Sequence, residues 1–99
     1  MSSEKNFWVY IVASVKNGTL YIGVTSDLIK RIWQHKNKVF EDFTADYGVD
    51  RLIWFEQHTS AESAITREKL LKKWNRSWKI ELIEKTNPRW QDLYDSITQ

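Results

Sequence analysis

The chain has 99 residues, a net charge of +2, 41% hydrophobic residues and 14 aromatics, six of them Trp. That is enough apolar material for one small core and too much for a disordered tail, and a single domain over residues 1–99 is the expectation. The absence of Cys excludes a disulfide frame and a thiolate zinc site, so any metal must be held by oxygen. The apolar run Phe7 to Val15 is too short for a membrane span and has none of the flanks of a signal peptide, which makes a cytoplasmic protein the expectation.

Taken in chain order, residues 7–12 and 19–24 are rich in β-branched and aromatic types, and Asn17-Gly18 lies between them. Asn and Gly tolerate the positive φ of tight turns, so this is a predicted hairpin. Thr25 or Ser26 is the expected cap of a helix reaching about Lys38, with Asp27 near its positive end and Leu28, Ile29, Ile32 and Trp33 as its buried stripe. Residues 39–50 read as irregular, anchored by Phe40, Phe43 and Tyr47. Residues 51–56 read as a third strand. Thr59-Ser60-Ala61-Glu62 has capping-box spacing and begins a second helix extending to about Asn75, after which Ser77 caps a short helix through Glu84. Asn87-Pro88 begins a last helix with Trp90, Leu93, Tyr94 and Ile97 as its apolar face. The predicted order is β-β-α-β-α-α-α.

The charge is segregated along the chain. Residues 30–38 carry four cations and no acid, and residues 67–79 carry six cations against Glu68 alone. Both stretches contain Trp (Trp33, Trp74, Trp78), a composition that suits a polyanion, with cations for phosphates and aromatic faces for bases. Lys36, Lys38, Lys72, Lys73 and Arg76 are the candidate nucleic-acid contacts, DNA first and RNA second. Solvated helix faces would give the same pattern.

Five further positions stand out. On a helical wheel Glu68 falls in the arc of Ala61, Ala64, Ile65 and Leu71, where a carboxylate needs a counter-ion, a metal or a cleft; Lys72 at i+4 is the plain alternative partner. Arg31 and His35, also at i and i+4, point the same way and suit a phosphate oxygen and a proton transfer; the alternative is a surface Asp27–Arg31 pair beside a solvated His35. Tyr10 and Tyr21 lie on the two hairpin strands, where core packing alone would also explain them.

In this order, Val9-Tyr10-Ile11, Tyr21-Ile22-Gly23, Arg31 and His35 after Asp27-Leu28, and Arg67-Glu68 in the next long helix resemble the GIY-YIG nuclease superfamily. The chain is most similar to its short standalone bacterial members, also through Phe43-Thr44, Lys72-Lys73-Trp74, Trp78-Lys79 and the segment 87–93. Val9 stands where the motif's first Gly would be, and Val24 stands where some repair nucleases carry Lys.

The resemblance implies an α+β fold, a three-stranded antiparallel sheet flanked by helices. It further implies a metal-dependent endonuclease acting on a nucleic-acid phosphodiester with a single Mg²⁺ or Mn²⁺ held by Glu68. The implied catalytic set is Tyr10, Tyr21, Arg31, His35, Glu68 and Asn87, with Asn75 the alternative for the last. Arg31 would hold a phosphate oxygen, Tyr21 or His35 would be the base, and Tyr10 would position water. An ordinary Tyr ionises near pH ~10 and needs neighbouring cations to serve, whereas His does not. A monomer or weak homodimer is expected. A non-catalytic nucleic-acid-binding module on the same scaffold is the competing reading.

Overall fold

In the computed structural model, residues 6–39 and 48–99 are described. The expected anchors Phe40, Phe43 and Tyr47, with Thr44, lie outside them. The elements are β1 (Phe7–Ala13), β2 (Leu20–Thr25), α1 (Leu28–Lys36), β3 (Arg51–His58), and three further helices. These are α2 (Ala61–Lys73), α3 (Arg76–Thr86) and α4 (Tyr94–Thr98). The strands form one three-stranded antiparallel sheet, as the resemblance implies, and their order in it is β2-β1-β3. No helix among the described residues is long and apolar enough to cross a membrane.

The central strand decides the layering. Val9 to Ala13 are all buried because both faces of β1 are covered. Successive side chains of a strand point to opposite faces. Val9, Ile11 and Ala13 therefore pack on one side with Ala64 and Leu71 of α2 and Ile83 of α3. Tyr10 and Val12 pack on the other side with Leu28 and Ile32 of α1. The hairpin turns at Asn17, which carries the positive φ of 60°.

The helix boundaries differ from expectation at several points. Asp27, and not Thr25 or Ser26, caps α1 by accepting from the Lys30 N–H at 3.2 Å; the Thr25 hydroxyl instead accepts from the Asp27 N–H. The buried face of α1 is Leu28, Ile32 and His35, at i, i+4 and i+7, while Ile29 and Trp33 are 45% and 50% exposed. Ser60 caps α2 one residue later than the capping-box spacing suggests, accepting from Ser63 at 3.1 Å. The chain turns extended at Trp74, so α2 stops at Lys73, and Asn75 rather than Ser77 caps α3 by accepting from Trp78 at 2.9 Å.

The largest departure lies in residues 87–93, which form no helix. Asn87 closes α3, its N–H bonding the Ile83 carbonyl at 2.9 Å. The following segment then crosses the end of the sheet. Trp90 enters the α2 side of the core with φ 55°, its indole N–H donating to Glu84 at 2.7 Å. Leu93, Tyr94 and Ile97 pack on the α1 side, and the Leu93 N–H bonds the Leu52 carbonyl at 2.7 Å.

Leu71 is fully buried between α2 and the sheet. Replacing it with Ala removes that contact and leaves a void, so Leu71→Ala should lower the unfolding free energy by about 2–5 kcal/mol in urea denaturation.

Candidate active site

The site is built around one phenol. Tyr10 sits at the centre of β1 opposite Gly23 of β2, and a Cβ at Gly23 would lie 2.4 Å from the Tyr10 hydroxyl and 2.5 Å from its Cζ. The ring therefore passes directly over the Gly23 backbone, and only glycine leaves that space. Laid across in this way, Tyr10 meets two side chains of α1. Its Oη is 3.0 Å from His35 Nε2, and it accepts a bond from Arg31 Nε at 3.2 Å. The Tyr10 hydroxyl thus bonds the Arg31 guanidinium and the His35 imidazole together.

Tyr21 completes the cluster from the edge strand. Its ring centroid is 6.5 Å from that of Tyr10 and 5.7 Å from that of His35, and His35 meets both phenol rings edge-on. Partial burial works against the charge of Arg31, but hydrogen bonds and the fields of the Tyr10 and Tyr21 oxygens outweigh it and hold the guanidinium above its ordinary value. Arg31 is thus a fixed cation, steadied further by Gln34 at 3.4 Å. The alternative of a surface Asp27–Arg31 pair with a solvated His35 is overturned: Asp27 caps the helix, and His35 is 4% exposed.

Glu68 approaches from the other face of the sheet. On α2, Ala64 and Leu71 point into the core, Arg67 turns towards β3 to pair with Glu56 at 3.1 Å, and Ile65 lines a groove with Val24 and Thr25 of β2. The wheel puts Glu68 between the core line and Ile65, on the flank that turns to β2. Tyr21 stands on the same edge strand. The Glu68 side chain is 15% exposed, and its carboxylate pairs with Lys72 at 3.2 Å, the i+4 partner the spacing suggests. Among the described residues no three His, Cys, Asp or Glu side chains gather into a metal cluster. A single carboxylate with one ammonium neighbour still fits a hydrated Mg²⁺ or Mn²⁺, since hard cations take much of their shell from water.

The remaining candidates have other duties in the fold. Asn87 is buried, and its amide is engaged by backbone: Nδ2 donates to Ile53 and Gln91, and Oδ1 accepts from Gln91, at 2.9–3.0 Å. Asn75 is the α3 cap and is not on the Glu68 arc. Lys36 pairs with Asp92 and donates to the Asp50 carbonyl. Arg76 clamps the hairpin turn, donating to the carbonyls of Asn17 and Gly18 at 2.7 and 2.6 Å. Lys38, Lys72 and Lys73 are exposed. Sequence reasoning missed Gln34 and the Glu56–Arg67 pair that fixes the roll of α2. The pairing joins residues 11 apart on different elements, a separation with no periodic signature.

The fold and this cluster define a known class of domain: residues 6–81 match the GIY-YIG catalytic domain, and the chain belongs to that family. A UPF0213 protein of Clostridium perfringens is 37% identical over 77% of this chain and 81% of its own length. A GIY-YIG domain-containing protein of Invertebrate iridescent virus 6 is 29% identical, covering 82% of this chain and 83% of that protein. The solution NMR structure of a UPF0213 protein from Bacillus halodurans superposes with a TM-score of 0.55 at 29% identity, covering 88% of this chain and 92% of that one.

If Gly23 is required to seat Tyr10, then Gly23→Ala should push the ring off His35 and Arg31. The expected loss is about 1–3 kcal/mol of stability in thermal unfolding, with a shift of the His35 imidazole resonances in NMR.

Proposed function

We propose that this protein is an endonuclease that hydrolyses nucleic-acid phosphodiester bonds, DNA in the first instance, with a single Mg²⁺ or Mn²⁺. The observation that carries the reading is the Tyr10–Arg31–His35 cluster joined by Tyr21, because core packing alone requires no half-buried cation bonded to a buried phenol oxygen. The family supplies the reaction class, and the geometry supports a role for each residue.

Arg31 holds a non-bridging oxygen of the scissile phosphate, with a planar fork that supplies charge and direction together. Tyr10 is 1% exposed and His35 4%, so neither is placed to meet a water arriving with substrate. Tyr21 is half-buried at the edge strand and is the better placed proton acceptor. As base, Tyr21 would act through its phenolate, whose charge the adjacent Arg31 cation balances; as water attacks phosphorus, its proton passes to that oxygen and restores the phenol while the P–O bond to the leaving oxygen breaks. Tyr10 and His35 act as positioning residues: the hydroxyl braces Arg31 Nε, and the imidazole fixes that hydroxyl. Glu68 would hold the divalent ion, which supplies Lewis-acid stabilisation of the leaving oxygen when bound. Asn87 contributes by holding the C-terminal segment against β3. Lys38, Lys72 and Lys73 give sequence-independent attraction to the phosphate backbone.

Purified protein should nick branched or single-stranded DNA with Mg²⁺ or Mn²⁺ and stop in chelator. Arg31→Ala should cut the rate about 100- to 1,000-fold and Glu68→Gln at least as much. Tyr21→Phe should lose activity more deeply than His35→Gln. Equal residual cleavage in wild type and Glu68→Gln preparations assigns the activity to a contaminant and overturns the reading.

A further inference from the structure

The Tyr–Arg–His cluster and Glu68 leave one feature unused. Where α2 gives way to α3, Trp74 and Trp78 stand edge to face with centroids 5.8 Å apart and planes at 87°. Trp74 is half-buried against the core and carries the Arg67 guanidinium over its ring at 5.5 Å. Trp78 is different: it is 54% exposed on the first turn of α3. The two indoles wall a groove of about 320 Å³ with Glu81, Leu82 and Lys85. More than half of the Trp78 surface is left to solvent, at the wall of the groove.

The charge around the groove selects the occupant. Among the described residues, Lys73, Lys79 and Lys85 have no ion-pair partner, and Arg76 bonds only neutral carbonyls, so its charge is retained. Glu81 on the rim is the one acid against them in the groove lining. A flat apolar face set among cations is complementary to an unpaired base on a phosphate strand, where the ring stacks and the backbone meets lysine. A base within a duplex cannot reach that face without leaving its stack.

We infer that Trp78 is a stacking platform for an unpaired base, which makes single-stranded, flapped or branched nucleic acid the substrate class. This deepens the nuclease reading and rests on it for its biological meaning, but its test needs no turnover. In chelator, the affinity of the full chain for fluorescent oligothymidylate, oligouridylate and a blunt duplex is measured by anisotropy, together with quenching of indole fluorescence. Trp78→Ala should weaken single-strand binding about 5- to 100-fold and duplex binding far less. Trp78→Phe, which keeps a stacking face, should retain most of the affinity while losing most of the indole quenching. Equal binding of the two oligonucleotides assigns unpaired bases on either sugar, and binding of oligouridylate alone assigns RNA. Unchanged single-strand affinity in Trp78→Ala, with native circular dichroism, overturns the inference and leaves the nuclease reading standing. Loss of metal-dependent cleavage with stacking intact would do the reverse.

Discussion

The Tyr10 hydroxyl, held between His35 and Arg31 above Gly23, is the contact on which the site depends. Each partner constrains a different part of the fold. Gly23 requires close register between β1 and β2; His35 fixes the rotation of α1 about its axis; Arg31 gains a defined direction from an otherwise flexible side chain. A buried phenol needs partners for its oxygen, and the fold provides them from a helix lying on the same sheet face. The result is a guanidinium that stays charged and points towards the edge strand.

On the proposed reading, Glu68 reaches that region by another route. It belongs to a helix on the opposite face, and its direction follows from α2 being pinned on its far flank by Arg67 to Glu56 and along its centre by Ala64 and Leu71. The edge position of β2 matters here, because both faces of an edge strand border the same margin of the sheet. On the proposed reading, substrate lies across that margin, with Tyr21 and Arg31 on one side and the Glu68 carboxylate on the other.

Much of this was legible in the sequence. The three strands, the hairpin at Asn17 and the element order follow from period-two patterning and turn chemistry, which act over a few residues. The Glu68–Lys72 pair was readable from helical spacing, for the same reason. What eluded the pattern depended on distant partners. His35 is polar and so reads as a rim residue, yet Tyr10, 25 positions away, makes its burial favourable and rotates Ile29 and Trp33 outward. Lys36 reads as a free cation, yet it pairs with Asp92, 56 positions on. Asn87-Pro88 has the form of a helix start, but Ile53 and Gln91 engage the Asn87 amide and turn the segment into a crossing loop. Local propensity yields wherever a buried polar group finds its partner through the tertiary fold.

The central claim is convergence at the β2 edge from both faces of the sheet, and paramagnetic broadening of amide resonances by Mn²⁺ tests it most directly. The account predicts broadening centred on Glu68 that extends to Tyr21 on β2 and Arg31 on α1, and that disappears from all three in Glu68→Gln. Broadening centred on Glu81 and Glu84, or on Glu68 without Tyr21, would contradict it.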